Sequence, residues 1–261
     1  MKLLSGADLA SFIKTRQAHQ VASMSRPPQL LIIRDSDDPV ITKYVNLKIR
    51  YGADIGIPVQ DYRATSAADI ATKLASAATD SAISGIILQL PITDPSRTDE
   101  LCDLIPPSKD VDGLGAHATY DSATATAITW LLAGYDIDLQ HQRIAIVGRG
   151  KLVGAPLYQM FTESHYDVSL FHRGDDLTNL KDFGIIISAT GVPGLISSEF
   201  ISPGATLVDA GTASEGGVLK GDLSPDLYTR TDLTAITPVV GGVGPLTVAC
   251  LFDHVIHAAS Q

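Results

Sequence analysis

Residues 144–156 read Ile-Ala-Ile-Val-Gly-Arg-Gly-Lys-Leu-Val-Gly-Ala-Pro, and no other stretch limits the fold as strongly. The run over 143–147 is rich in β-branched and apolar residues and passes straight into glycine, which predicts a short buried strand ending at a tight turn. Gly148, Gly150 and Gly154 follow, and a helix is expected from about Leu152. Glycine lets a backbone turn sharply and lets a phosphate approach the main chain. The first turn of a helix adds unpaired N–H donors and the positive end of its dipole. Strand, glycine turn and helix together predict a dinucleotide pyrophosphate site. The third glycine falls one residue later than in the usual GxGxxG spacing, so the alternative is an ordinary tight turn between strand and helix.

The rest of the chain can support such a site. Its 261 residues are 45% hydrophobic, enough for a real core and for one large domain or two smaller ones. No apolar run approaches the ~20 residues needed to cross a bilayer, so no membrane partner is expected. The first residues lack a charged segment followed by an apolar core, which points to a cytoplasmic protein without a signal peptide. A net charge of −10 argues against a nucleic-acid partner, although one local basic site can still hold an anionic ligand. The two cysteines, Cys102 and Cys250, read as free buried thiols, and no metal site is expected.

Taken in order, the chain alternates helix and strand signals. A helix is expected over 5–24, a buried strand over 30–33, and a helix from the Asp38-Pro39 start signal to about Asp54. That helix carries an apolar stripe of Val45, Ile49 and Ala53, with Tyr44 and Lys48 four apart on the strip beside it. Strands at 58–62 and 85–91 flank a helix at 67–78, and the latter strand delivers Gln89 and stops at Pro91. Ligands of parallel sheets collect at the carboxyl ends of strands, which favours Gln89 as a contact. A short helix at 101–105 and a turn-rich loop at 106–113 complete this half. A helix at 121–132 leads into further strands at 143–147, 167–171, 184–189, 205–209 and 235–237, and the loop 241–245 launches a last helix over 246–259. The expected fold is α/β, with two α/β domains and a cleft between them, the second a Rossmann-type dinucleotide-binding domain. The expected boundaries are 1–122, joined by the C-terminal helix 245–261, and 123–244.

The strand after the glycine turn ends in His172-Arg173, a basic pair where NAD sites usually place an acidic residue. A guanidinium grips a 2′-phosphate well, and Arg149 could help, so NADP is favoured over NAD. Asp175 and Asp176 leave the alternative that they serve a ribose or counter Arg173, and a solvated strand end is the plain reading of the pair.

These residues resemble the bifunctional methylenetetrahydrofolate dehydrogenase/methenyltetrahydrofolate cyclohydrolases over nearly the whole chain. The resemblance rests on Tyr44-Val-Asn-Leu-Lys48, Ile87-Leu-Gln-Leu-Pro91, Lys109-Asp-Val-Asp-Gly113, Gly148-Arg149 with Val153-Gly154-Ala-Pro156, Gly221-Asp222 and Gly241-Gly-Val-Gly-Pro-Leu-Thr247, in that order. It implies oxidation of methylenetetrahydrofolate with a nicotinamide cofactor, then hydrolysis to 10-formyltetrahydrofolate. It implies Lys48 as the catalytic lysine, Gln89 as its partner, Tyr44 stacked on the folate, and Asp112 on the pterin amino group and ring N–H. Leu90, Pro91, Gly242 and Pro245 are implied as further folate contacts. Gly148, Arg149, Gly150, Val153, Gly154, His172, Arg173, Gly191 and Gly211 are implied around the cofactor. A homodimer through the cofactor domains is implied as well.

Some residues depart from the family pattern. The segment 114–128 is shorter than usual and lacks a Pro-Cys-Thr-Pro run, Gly150 replaces a common Ser, Val240 a usual Pro, and Ile41 a frequent Ser. None of these removes a residue assigned to the chemistry, although Gly150 lacks the hydroxyl that a Ser would offer a phosphate. The alternatives are a monofunctional dehydrogenase, against which Lys48 with Gln89 argues, and a catalytically silent dinucleotide- or folate-binding module.

Overall fold

The computed structural model describes residues 1–211, 213–215 and 218–260. The chain begins β1 (Lys2–Leu3), α1 (Gly6–Ala22), β2 (Leu30–Arg34), α2 (Pro39–Ile55), β3 (Val59–Arg63), α3 (Ala67–Thr79), β4 (Gly85–Leu88) and α4 (Thr98–Asp103). It continues α5 (Ala123–Gly134), β5 (Ile144–Val147), α6 (Gly154–Glu163), β6 (Val168–Phe171), β7 (Ile185–Ser188) and β8 (Thr206–Asp209). It ends β9 (Ala213–Glu215), β10 (Val218–Lys220), β11 (Ala235–Ile236) and α7 (Val243–Ala258).

Two compact α/β units result. One comprises Ser11–Ala123 with Val248–Gln261, the other Met1–Ala10 with Thr124–Thr247; Gln261 itself lies outside the described residues. The sequence reading placed residues 1–10 in the first unit. They join the second because β1 pairs in parallel with β11, Lys2 opposite Ala235 and Leu3 opposite Ile236. A two-residue strand is too short to carry a periodic signal.

In the first unit the parallel sheet runs β3-β2-β4. Every residue of β2 and β4 is buried, which matches the apolar runs Leu30-Leu-Ile-Ile33 and Ile86-Ile-Leu88; Arg34 at the end of β2 is buried through its pairing with Asp61. Leu31, Ile33, Ile86 and Leu88 from these strands pack against Ile70 and Leu74 of α3 and Leu101 of α4. Helix α2 starts where Asp38 accepts the N–H groups of Val40 and Ile41, with Pro39 in the first position, so its start follows directly from local chemistry. Its buried face is Ile41, Val45, Lys48, Tyr51, Gly52 and Ile55. That corrects the expected stripe, because Ala53 is exposed and Ile49 only half-buried. Lys48 lies on the buried face itself rather than beside it.

The second unit has a six-stranded parallel sheet in the order β1-β11-β8-β7-β5-β6, and a separate antiparallel hairpin of β9 and β10. Strands β6, β5, β7 and β8 make a doubly wound order whose switch point falls between β5 and β7, the place where sheets of this order bind ligands. Its core includes Ala145, Val147, Phe171, Ile186, Leu207 and Ile236. Only the β5–β6 crossover holds an α-helix; the β6–β7 and β7–β8 crossovers carry short 3₁₀ turns at Leu177–Asp182 and Ser198–Phe200. The helix after the glycine turn begins at Gly154, two residues later than expected, and α7 begins at Val243, three residues earlier.

Candidate active site

Three elements of the first unit bring together the residues singled out for chemistry. The N–H of Gln89 still bonds the Ile33 carbonyl at 2.8 Å, so this residue keeps sheet register just past the end of β4. Its side-chain nitrogen donates to the Leu90 carbonyl at 3.1 Å, which turns the amide oxygen Oε1 outward. Lys48 Nζ donates to that oxygen at 2.7 Å. Only 9% of Lys48 is exposed. Burial pushes its amine below the ordinary lysine range, and the charge of Asp112 pulls part of the way back.

Asp112 completes the group from the loop that follows α4. Burial raises its carboxyl, while the positive charges of Lys48 and His254 pull it down. The loop is pinned on several sides. Asp110, almost wholly buried, accepts the N–H groups of Gly113, Leu114 and Gly115 at 3.0, 3.1 and 2.7 Å. The Asp112 carbonyl accepts the Ala123 N–H at 3.2 Å, and His254 Nδ1 lies 2.9 Å from the Val111 carbonyl. Asp110 and His254 were not picked out from sequence. The Asp-x-Asp-Gly pattern is a turn signal that could have found the former; nothing local marks the latter, which sits within α7.

Tyr44 lies one turn before Lys48 on α2 and is half-buried, Leu90 is half-buried and Pro91 exposed. Lys109, from the same motif as Asp112, is spent on structure: its Nζ donates to the Ala77 and Asp80 carbonyls at 3.1 and 2.8 Å, closing the end of α3. Gly242 and Pro245 belong to the second unit, Pro245 within the first turn of α7.

In the second unit the glycine turn is built by exclusion of side chains. Gly148 has φ +105°, and a Cβ there would meet the Ala189 carbonyl oxygen at 2.5 Å. A Cβ on Gly154 would lie 1.9 Å from the Gly148 carbonyl oxygen, so the helix start packs directly on the turn. Gly150 has nothing within 4 Å and faces open space. Arg149 is exposed, and Val153 is half-buried at the cap position of α6. At the end of β6, His172 and Arg173 are both exposed. Asp175 accepts the His172 N–H at 2.6 Å and Asp176 accepts the Thr178 N–H at 2.9 Å, so both carboxylates shape the turn. Among the described residues no carboxylate pairs with the Arg173 guanidinium. Gly191, exposed with φ +68°, follows β7.

Gly211 makes room for an acid. A Cβ on it would meet the Asp222 carboxylate at 2.0 Å, just as one on Gly221 would meet Asp209 at 2.0 Å. Asp222 accepts the Ser188 hydroxyl and the Thr190 N–H, each at 2.7 Å. Asp209 accepts the N–H groups of Gly211, Asp222 and Leu223 at 3.0, 3.1 and 3.1 Å. This pair ties the segments after β7 and β8 together at the carboxyl edge of the sheet.

The arrangement has known relatives. The model of the tetrahydrofolate dehydrogenase/cyclohydrolase catalytic domain matches residues 4–112, and that of the family's NAD(P)-binding domain matches residues 122–261. A bifunctional protein FolD of Leuconostoc citreum is 32% identical over 100% of this chain and 98% of its own length. The crystal structure of the bifunctional FolD methylenetetrahydrofolate dehydrogenase/cyclohydrolase of Campylobacter jejuni superposes with a TM-score of 0.93 at 28% identity, covering 100% of this chain and 99% of the other. The Trypanosoma brucei methylenetetrahydrofolate dehydrogenase-cyclohydrolase, complexed with NADP and an inhibitor, gives 0.91 at 25% identity, covering 99% and 97%.

Proposed function

This chain belongs to the tetrahydrofolate dehydrogenase/cyclohydrolase family, and from that premise we propose that Lys48, held by Gln89 and set beside Asp112, is the centre of its folate chemistry. The enzyme oxidises 5,10-methylenetetrahydrofolate to the 5,10-methenyl cation with NADP⁺ and hydrolyses that cation to 10-formyltetrahydrofolate. The observation that carries the assignment is a lysine on the buried face of a helix, its amine bonded to a fixed amide oxygen. Such a group is an unusual cost for a fold, and burial weakens its hold on a proton relative to an ordinary lysine.

The cyclohydrolase step follows from this. Water adds through its oxygen to the bridging carbon of the methenyl cation and gives a proton to the neutral Nζ. The new hydroxyl then loses its proton as the carbon–N5 bond breaks, N5 takes one proton, and one proton is released overall. Gln89 Oε1 accepts one hydrogen of Nζ and so fixes where the amine points. Asp112, as a carboxylate, accepts from the pterin amino group and ring N–H, and Tyr44 packs against the ring system. Leu90, Pro91, Gly242 and Pro245 complete the folate contacts in this reading, which for the last four rests on the family resemblance.

NADP⁺, when bound, supplies the hydride acceptor of the first step. The residues fit it: Gly148 and Gly154 leave no side chain at the turn, and Gly150 opens on free space. Arg149, Val153 and Gly191 border that turn and the next strand end, while His172 and Arg173 stand where a 2′-phosphate is read. Gly211 acts through Asp222. No helix is long and apolar enough to cross a membrane among the described residues. Cytoplasmic residence and a homodimer through the cofactor units remain part of the proposal; sedimentation velocity checks the latter.

The test follows reduced nicotinamide, methenyl-folate and 10-formyl-folate together, with NADP⁺ and NAD⁺ in separate samples. Wild type should reduce NADP⁺ and leave little methenyl-folate. Lys48→Met should lower the hydrolytic step on the order of 10²–10⁴-fold, the range for loss of a general acid–base group, while NADP⁺ binding stays intact. Hydrolysis at the wild-type rate in that variant would remove Lys48 from the mechanism.

A further inference from the structure

His254 has no role in the reading above, yet it grips the loop that presents Asp112. We propose that His254 is a positioning residue for folate recognition: its ring holds the Val111 carbonyl and, with Tyr120 stacked on it, fixes the loop that presents Asp112. The inference rests on the assignment of Asp112 to the pterin.

The geometry fixes the ring. His254 Nδ1 is 2.9 Å from the Val111 carbonyl oxygen, which can only accept, so the hydrogen sits on Nδ1. Tyr120 stacks on the imidazole with centroids 4.8 Å apart and planes 19° apart. His257, one turn further along α7, meets the Tyr120 ring edge-on at 5.9 Å and 77°. The Tyr120 hydroxyl is buried without a hydrogen-bond partner among the described residues, so this ring is held by stacking and not by its polar end. Helix α7 therefore clasps the loop on both sides of Asp112, at Val111 before it and at Tyr120 after it.

The clasp bears on Asp112 because Val111 precedes it directly and Tyr120 follows it in the same loop, so holding both ends holds the carboxylate between them in place.

The experiment compares wild type with His254→Ala, His254→Asn and Asp112→Ala in the methylenetetrahydrofolate and NADP⁺ assay. The asparagine amide nitrogen falls near the place of Nδ1 but carries no charge. His254→Ala should raise KM for the folate about tenfold with kcat within about threefold, the size expected when one fixed hydrogen bond to the recognition loop is lost, and leave KM for NADP⁺ unchanged. His254→Asn should restore the folate KM, because its amide N–H can reach the same carbonyl. If His254→Ala keeps the wild-type folate KM while Asp112→Ala raises it, the role of His254 is refuted and that of Asp112 stands. If Asp112→Ala leaves KM unchanged, the pterin assignment falls and this inference with it. Should His254→Ala fail to fold, His254→Leu fills the space without the donor, and a wild-type folate KM in that variant overturns the role.

Discussion

Asp112 in the first unit and Asp209 in the second are both carboxylates raised by burial, and their surroundings answer that burial in opposite ways. Around Asp112 the compensation comes from Lys48 and His254, side chains that can change charge. Around Asp209 it comes from three backbone N–H groups, which cannot, and the neighbouring Asp222 adds repulsion rather than relief. A site that moves protons needs groups whose ionisation states depend on one another. A site that holds a nucleotide needs a frame that stays put, and fixed amide donors together with missing side chains supply one. The same contrast separates a lysine that works by what it carries from glycines that work by what they lack.

The sharpest way to break the comparison is at the glycine turn. Gly154→Val puts a branched side chain where a single Cβ already falls 1.9 Å from the Gly148 carbonyl oxygen. Expected is a loss of several kcal/mol, about 3–5, with NADP⁺ binding abolished. Gly150→Ala, with nothing within 4 Å, should change stability by less than about 0.5 kcal/mol. Thermal unfolding and nucleotide titration of both variants check this; equal melting of the two would show that the turn is not closed by packing.

A smaller effect is expected where the first unit does use a rigid ion pair. Arg34, 1% exposed at the end of β2, forks onto Asp61 at 2.9 and 2.8 Å and reaches the Thr42 hydroxyl at 2.9 Å in the first turns of α2. Lysine cannot reproduce the fork, so Arg34→Lys should cost about 3 kcal/mol in denaturant unfolding. Because α2 carries Lys48, hydrolysis should fall too, while nucleotide affinity holds.

An effect of similar size tests the fixed acid. Burial raises the Asp209 carboxyl from 3.8 to about 6, so the folded chain binds this proton more tightly than the unfolded one. That contribution favours folding below about pH 4 and is lost as pH rises through 6, roughly 3 kcal/mol across the window. Asparagine does not titrate. The stability difference between wild type and Asp209→Asn should therefore shrink by about that amount between pH 3.5 and 7, on top of a constant cost for turning an amide NH₂ toward backbone donors. A difference that stays flat with pH would mean that Asp209 is not raised.

Much of the fold could be read along the chain. The apolar runs that became β2, β4, β5 and β7, the Asp38-Pro39 start of α2 and the turn at Gly148 all rest on chemistry within a few residues. Of the site, Lys48, Gln89 and Asp112 were named by motif, and in the structure Lys48 bonds Gln89 while its charge acts on Asp112. Their surroundings were not legible. The stripe on α2 was misplaced because sequence periodicity assumes that a lysine faces outward, whereas here the buried face runs through Lys48. The 3₁₀ turns after β6 and β7 drew no reading at all, because stretches of three to six residues are too short to show a helical period. The two-residue β1 left no pattern to detect.

What the sequence determined by itself is the set of local elements, the glycines at the turn and the residue types available for chemistry, since each depends on backbone preference and near neighbours. Only the tertiary structure decided which of those residues lose water and which charges then face one another. Lys48 meets an amide 41 positions away, and His254 reaches a carbonyl 143 positions away. Burial and electrostatic coupling are properties of position in space, and the distance along the chain does not encode them.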